Sequence, residues 1–161
     1  RDRVPDAELM IVGAVNPDID AHSLIAQIAD LDGVTLQTGY VPVADVASYF
    51  GPARCVVLPY KRSSQSGVAH LAQTLGRPVV ATRVGDIPSV VRDQVSGLIV
   101  EADDPDALAA GLIRLLTDPE LAAALGQAGR QDLAAGASWD NVAERFTAGL
   151  PERGAVPAKR D

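Results

Sequence analysis

The stretch CVVLPYKRSSQSGVAHLAQTLGRPVVAT, residues 55–82, decides the fold class of this chain. It opens with a four-residue apolar run that ends at Pro59, which is typical of a strand buried on both faces of a sheet. Helical spacing then predicts a helix that starts at Ser66, ends at Gly76 and has these apolar positions: Val68, Leu71, Ala72 and Leu75. Residues 79–82 predict a second strand. A strand, a helix and a strand in this order indicate a parallel β-α-β unit.

The same alternation continues on both sides of this unit. Further strands are predicted at residues 9–12, 34–38 and 98–100, and further helices over 20–30, from Asp45 and over 88–92. Residues 9–12 form a continuous apolar run, so we expect this strand to be buried on both faces. The pattern predicts an α/β fold with a parallel sheet.

Three successive helices are predicted after the last strand. Asp104 and Asp118 each precede a proline, which places a capping acid before a proline at the first helical position. Ser138 caps the third helix, whose apolar face contains Trp139, Val142 and Phe146. These helices predict a helical C-terminal cap. Residues 1–150 then form one domain, and the polar residues 151–161 a flexible tail.

Composition excludes several classes of partner. The 161 residues carry a formal net charge of −7, which argues against duplex nucleic acid or an anionic membrane as the main partner. No apolar run approaches the roughly 20 residues of a membrane span. The single cysteine, Cys55, cannot form an internal disulfide, and no metal-ligand cluster is predicted around it. The chain begins with Arg1 and its one methionine is Met10, so we expect a piece of a longer protein.

The loop after residues 55–58 has the composition of an anion site. It joins the cations Lys61 and Arg62 to a run of small hydroxyl residues and ends in Ser66-Gly67 at a helix start. Free backbone N–H groups and the positive end of the helix dipole favour an anion there, and Gly67 allows a phosphate to approach the backbone. The alternative interpretation is that Ser66 only caps the helix and that the two cations are solvated.

Other nucleotide and catalytic motifs are missing. Residues 12–17, after the first strand, lack the Gly-x-Gly-x-x-Gly spacing of a dinucleotide site, and no Gly-Lys-Ser/Thr run of a P-loop occurs. Neither His22 nor His70 has a nucleophile elbow nearby. The acids of residues 101–104 indicate helix capping more than a metal site. A phosphoacceptor receiver domain is set aside because acids are missing after the first and third strands.

The order of short motifs resembles the C-terminal, nucleotide-sugar-binding domain of family 4 glycosyltransferases. The matching blocks are PDAELMIVG (5–13), GYVP (39–42), LGRPVVAT (75–82), VGDIP (84–88), SGLIV (96–100), DPDAL (104–108), LLTDPEL (115–121) and SW (138–139). This resemblance implies the two-domain GT-B fold, with a Rossmann-like sheet that has helices on both faces. It also implies transfer of a sugar from a nucleotide-diphosphate donor with retained configuration, without a metal or another cofactor. The family takes part in polysaccharide or glycoconjugate biosynthesis.

The resemblance also assigns site residues by position. The donor diphosphate would lie at Gln65, Ser66, Gly67 and Val68, with Lys61 and Arg62 nearby, and the donor sugar at Ser63 and Ser64. The base would lie near Gly39, Tyr40 and Val41, and the cleft wall would include Val84 and Gly85. No catalytic residue and no metal ligand is assigned, because the acceptor and several catalytic groups belong to an N-terminal domain that these residues do not include. The parent enzyme is expected to be cytoplasmic and peripheral to the membrane.

Two departures from the family pattern affect these assignments. Ser63 and Leu71 occupy the positions of the two acids of the usual Glu-x7-Glu motif, although residues 64–68, SQSGV, match a variant found in part of the family. The strand and helix that normally precede Pro5 are also missing, which would expose a sheet edge for a partner strand or for self-association. The alternative function is therefore a degenerate, non-catalytic interaction module that kept the fold and lost the donor site.

Overall fold

The computed structural model describes residues 3–15, 21–29, 31–62 and 66–136. In these ranges the elements are β1 (Leu9–Gly13), α1 (Ala21–Ala29), β2 (Val34–Thr38), a 3-10 turn (Val43–Asp45), α2 (Val46–Phe50), β3 (Val56–Leu58), α3 (Gly67–Thr74), β4 (Val79–Thr82), α4 (Ile87–Val90), β5 (Gly97–Val100), α5 (Pro105–Thr117) and α6 (Pro119–Gly136). The predicted α/β alternation is confirmed. The predicted helix at Ser138 and the tail over 151–161 lie outside the described residues.

All strand pairs are parallel, but the described strands form two sheets instead of one. β3, β4 and β5 make a three-stranded sheet in that order, and β1 pairs with β2 in a separate two-stranded sheet. Within the described residues, one edge of β1 and one edge of β3 therefore have no strand partner. The predicted parallel arrangement of the strands is confirmed.

The core lies around β4, which is buried on both faces. One face packs against small and apolar side chains of α3 and α4, among them Ala69, Ala72 and Ile87. The opposite face packs against α5 and α6 through Leu115, Ala122 and Leu125. Helices thus cover both faces of the three-stranded sheet, as the sequence predicts.

The expectation that residues 9–12 are buried on both faces is wrong. Leu9, Met10 and Ile11 are 41%, 53% and 37% exposed, although they alternate between the two faces of the strand. β1 has one described strand neighbour, and α1 lies over the next strand, β2. Even there the packing leaves a cavity of about 310 Å³ lined by Ile25, Ile28, Ala29, Val34, Leu36 and Thr38. An apolar sequence stays exposed here because the nearby helix α1 packs mainly on β2 and not on β1.

The apolar side predicted for the helix after Ser66 is also partly wrong. The buried residues of α3 are Ala69, Ala72 and Gln73, whereas Val68 and Leu71 are 37% and 41% exposed. Small residues face inward because α3 packs closely on α6, where the backbone oxygen of Gly76 lies next to Gly126. The predicted end at Gly76 is confirmed, since this residue has φ +65° and its N–H donates to the Gln73 carbonyl at 2.9 Å.

The two predicted acid caps are confirmed. Asp104 Oδ1 accepts a hydrogen bond from the Ala107 N–H at 2.9 Å at the start of α5. Asp118 Oδ1 accepts one from the Leu121 N–H at 2.9 Å at the start of α6. In the described part of the chain, no helix has the length and apolar character needed to cross a membrane.

Candidate functional site

The candidate site lies where the strands of the three-stranded sheet end. Ligands of open α/β sheets bind outside the carboxyl ends of the strands, and the loops after β3, β4 and β5 leave the sheet there. We call the described residues of these loops, 59–62, 66, 83–86 and 101–104, the carboxyl edge. Ser63, Ser64 and Gln65, predicted to bind the donor sugar and the diphosphate, lie outside the described residues.

The start of α3 combines a buried cap with exposed backbone. Ser66 is buried, and its Oγ accepts a hydrogen bond from the Ala69 N–H at 3.2 Å. The N–H groups of Gly67 and Val68 have no hydrogen-bond partner among the described residues, as is usual in the first turn of a helix. A Cβ placed on Gly67 would meet nothing within 4 Å among the described residues, so this position has room for a side chain. Ser66 is therefore a helix cap, and the open amides are those of Gly67 and Val68.

Lys61 reaches across the sheet to the loop after β5. Its ammonium lies 2.8 Å from Asp103 Oδ1. The hydrogen bond that Lys61 donates to Asp103, together with the negative charge of this carboxylate, raises the pKa of Lys61 above its usual value. Arg62, the other predicted cation, is exposed. Both cations are exposed, Lys61 with 80% of its side chain, so the alternative of a helix cap with solvated cations stays open.

Thr82 holds the loop after β3 against the end of β4. Its hydroxyl donates to the Tyr60 carbonyl at 2.6 Å and lies 3.3 Å from the Leu58 carbonyl. The side chain is buried. From the sequence, Thr82 is predicted only as the last residue of a strand. A polar residue at the end of an otherwise apolar, buried strand is the signal that could have marked it.

The predicted cleft-wall residues follow β4 directly. Val84 is half-buried and packs against the core cluster that contains Leu58. Gly85 has φ +55°, a left-handed conformation that favours glycine, and makes the turn toward α4. Both residues lie on the carboxyl edge, next to the loops after β3 and β5.

The predicted base-side residues belong to the other sheet. Gly39 follows β2, has φ +126° and donates its N–H to the Gly13 carbonyl at 2.9 Å. Tyr40 is 82% exposed and Val41 is half-buried. The structure therefore brings the residues after β3 and β4 to one sheet edge and places residues 39–41 at the end of the two-stranded sheet.

The loop after β5 was interpreted as helix capping, which is confirmed only for Asp104. Glu101 Oε1 accepts from Arg83 Nε at 2.7 Å, and Asp103 pairs with Lys61. Among the described residues, no group of three or more His, Cys, Asp or Glu side chains could hold a metal ion. Burial raises the pKa of the Cys55 thiol to about 11, so this side chain is protonated at neutral pH.

Comparisons with known proteins identify relatives across most of the chain. The profile of the family described as "Glycosyl transferases group 1" matches residues 1–118. A D-inositol 3-phosphate glycosyltransferase of Salinispora arenicola is 36% identical over 148 residues, 88% of this chain and 33% of that protein. A GDP-mannose-dependent monoacylated alpha-(1-6)-phosphatidylinositol monomannoside mannosyltransferase of Corynebacterium glutamicum is 33% identical over 150 residues, 89% of this chain and 38% of that protein. This chain therefore spans about a third of the length of these relatives.

Solved structures support the same fold. A sucrose-phosphate synthase from Thermosynechococcus elongatus superposes with a TM-score of 0.77 at 29% identity, over 91% of this chain and 38% of that one. Anabaena HepE in complex with UDP-glucose gives a TM-score of 0.71 at 18% identity, over 89% of this chain and 42% of that one. At such low identity the second comparison shows the fold alone.

Proposed function

The chain belongs to the group 1 glycosyl transferases, and from this premise we propose that it is the donor-binding part of an enzyme that uses a nucleotide-diphosphate sugar. The observation that carries the proposal is the open first turn of α3 at the carboxyl edge. There the N–H groups of Gly67 and Val68 point out of a helix whose start is fixed by Ser66. Unpaired amides and the helix dipole attract the negative charge of a diphosphate.

We assign the remaining contacts by position. Lys61 and Arg62 would neutralise the leaving diphosphate, and such stabilisation of developing charge is what this part of the enzyme would contribute to sugar transfer. Ser63, Ser64 and Gln65 would lie toward the sugar and the diphosphate. The base would lie toward residues 39–41, and Val84 and Gly85 would form part of the cleft wall.

The rest of the proposed enzyme lies outside these residues. The acceptor site and several catalytic groups would come from an N-terminal domain. Transfer of the sugar would retain the anomeric configuration without a metal or cofactor. The enzyme would be cytoplasmic and peripheral to the membrane. The D-inositol 3-phosphate glycosyltransferases and the GDP-mannose-dependent enzyme among the relatives support small or lipid-linked inositol acceptors as candidates.

The separation of the two sheets supports a further element of this proposal. A common doubly wound sheet has six parallel strands in the spatial order 3-2-1-4-5-6. In that order, β2 and β1 would take places 3 and 2, and β3, β4 and β5 would take places 4, 5 and 6. The vacant place 1 would lie between β1 and β3, each of which has one edge without a described strand partner. We propose that a parallel strand of the longer enzyme completes the sheet there, and that without it copies of the chain can associate through this edge.

Gly67→Asp tests the diphosphate site. Aspartate is well tolerated in the first turn of a helix, and a side chain at this position meets nothing within 4 Å, so we expect the fold to be kept. The carboxylate would repel the diphosphate, and we expect UDP to bind at least about tenfold more weakly. The measurement is an NMR titration with UDP, with uridine as the ligand that lacks phosphate.

Gly136→Asp is the matched control, because it makes the same substitution at another open helical position, the last residue of α6. It should leave UDP binding unchanged. Equal affinities of the wild-type chain and Gly67→Asp would contradict the assignment of the diphosphate to α3.

The second candidate function is a non-catalytic interaction module. Leu71 favours it, because this exposed apolar residue stands where the family resemblance implies a ribose-binding acid. In the same titration, absence of UDP-induced shifts at the carboxyl edge would support the module, whereas shifts confined to residues 59–68 would support the transferase.

A further inference from the structure

The loop after β5 carries carboxylates that pair with cations of the other two loops of the carboxyl edge. Asp103 Oδ1 lies 2.8 Å from the Lys61 ammonium in the loop after β3. Glu101 Oε1 accepts from Arg83 Nε, directly after β4, at 2.7 Å. These two ion pairs tie together the three loops of the carboxyl edge.

The Lys61–Asp103 pair crosses the end of β4. That strand lies between β3 and β5, and neighbouring strands are about 4.8 Å apart, so the two loops leave the sheet roughly 10 Å from each other. The ion pair bridges the two loops across this interval. It therefore lies over the carboxyl end of the central strand, in the region where open α/β sheets bind their ligands.

Asp103 is the more fixed member of the pair. Its φ of +59° is a left-handed conformation that aspartate adopts more readily than most residues. The next residue, Asp104, caps α5 through its bond from the Ala107 N–H, which anchors the loop to a long helix. Lys61 reaches Asp103 through a flexible four-carbon stem and is exposed, so it is the member that can move.

We propose that Asp103 is a specificity-determining residue that holds Lys61 when the site is empty and competes with the diphosphate for it. This inference rests on the proposed function. A diphosphate at the Gly67 and Val68 amides offers Lys61 several anionic oxygens, whereas among the described residues Lys61 pairs with the carboxylate of Asp103. Binding then requires Lys61 to exchange one anionic partner for another. Asp103 therefore lowers the affinity of the site for any anion that cannot take its place as the partner of Lys61.

The experiment compares Asp103→Asn with Asp106→Asn in the full chain. Asp106 lies in the first turn of α5 and is exposed, so its substitution makes the same charge change close by without removing this ion pair. UDP binding is measured by NMR titration at low ionic strength, where exposed charges are least screened. We expect Asp103→Asn to bind UDP about three- to fivefold more tightly than Asp106→Asn, a range set by the strength of exposed ion pairs. In a Lys61→Gln background the difference should disappear.

A second readout needs no ligand. The pKa of the Lys61 ammonium, measured by NMR in the free chain, should fall in Asp103→Asn and stay unchanged in Asp106→Asn. Equal UDP affinities of the two variants, or weaker binding by Asp103→Asn, would overturn the competition while leaving the diphosphate site intact. If neither the wild-type chain nor any variant binds UDP while the Lys61 pKa responds as expected, the proposed function fails, and this inference fails with it.

Discussion

Gly126 is a residue at which the structure has no room for a side chain. A Cβ at this position in α6 would overlap the backbone oxygen of Gly76 and lie 3.1 Å from Pro78 Cδ. Alanine normally stabilises a helix relative to glycine by about 1 kcal/mol, but here it would push α6 away from the turn that ends α3. We expect Gly126→Ala to lower the free energy of unfolding by about 1–3 kcal/mol, a usual cost of overpacking, as measured by urea denaturation.

The same helix supplies the control for this prediction. Gly136 also lies in α6, and a Cβ there would meet nothing within 4 Å. Gly136→Ala should be neutral or stabilising by up to about 1 kcal/mol. If the two alanine variants unfold alike, the close contact between α6 and Gly76 does not exist in solution. Nothing in the sequence singles out Gly126, because only its packing partner distinguishes it from other helical glycines.

At the scale of elements, the helix caps were predictable and the buried face of α3 was not. Asp104 and Asp118 could be recognised because a cap is a local interaction over three residues. The buried face of α3 depends on how close another helix comes. With α6 packed against it, the small side chains of Ala69 and Ala72 fit inside, and Leu71 is left at the surface.

The cap of α6 can be tested by two substitutions at one position. Asp118→Ala removes the oxygen that accepts the Leu121 N–H, and we expect a loss of about 1 kcal/mol in the free energy of unfolding. Asp118→Asn removes the charge and keeps an acceptor oxygen, so it should retain most of the stability. Thermal and urea denaturation measure both. Equal losses in the two variants would assign the effect to the charge near the helix dipole instead of the cap.

At the scale of the whole molecule, the sequence predicted which loop is rich in anion-binding groups but not which loops meet. The composition of residues 61–67 marked the candidate site, because cations, hydroxyls and a helix start are adjacent along the chain. The roles of Thr82 and Asp103 depend on the spatial order β3-β4-β5, which brings together residues that are distant in sequence. The division into two sheets has the same origin, since apolar runs do not specify which strand pairs with which.

The division into two sheets predicts that the two sheets differ in local stability. β4 has strand neighbours on both sides and is buried on both faces, so its amides should exchange with solvent only when the core opens. β1 pairs with β2 alone among the described strands, its apolar side chains are exposed, and α1 packs over β2 with a cavity between them. We expect amides of residues 9–13 to exchange at least about 100-fold faster than those of residues 79–82 in hydrogen exchange followed by NMR.

Repeating the hydrogen-exchange measurement at two protein concentrations distinguishes an unpaired edge of β1 from a paired one. If copies of the chain associate through β1, the protection of residues 9–13 should rise with concentration while that of residues 79–82 stays constant, because pairing would cover only the two-stranded sheet. If β1 is as protected as β4 at the lower concentration, its edge is already covered, and neither a completing strand nor self-association is needed there.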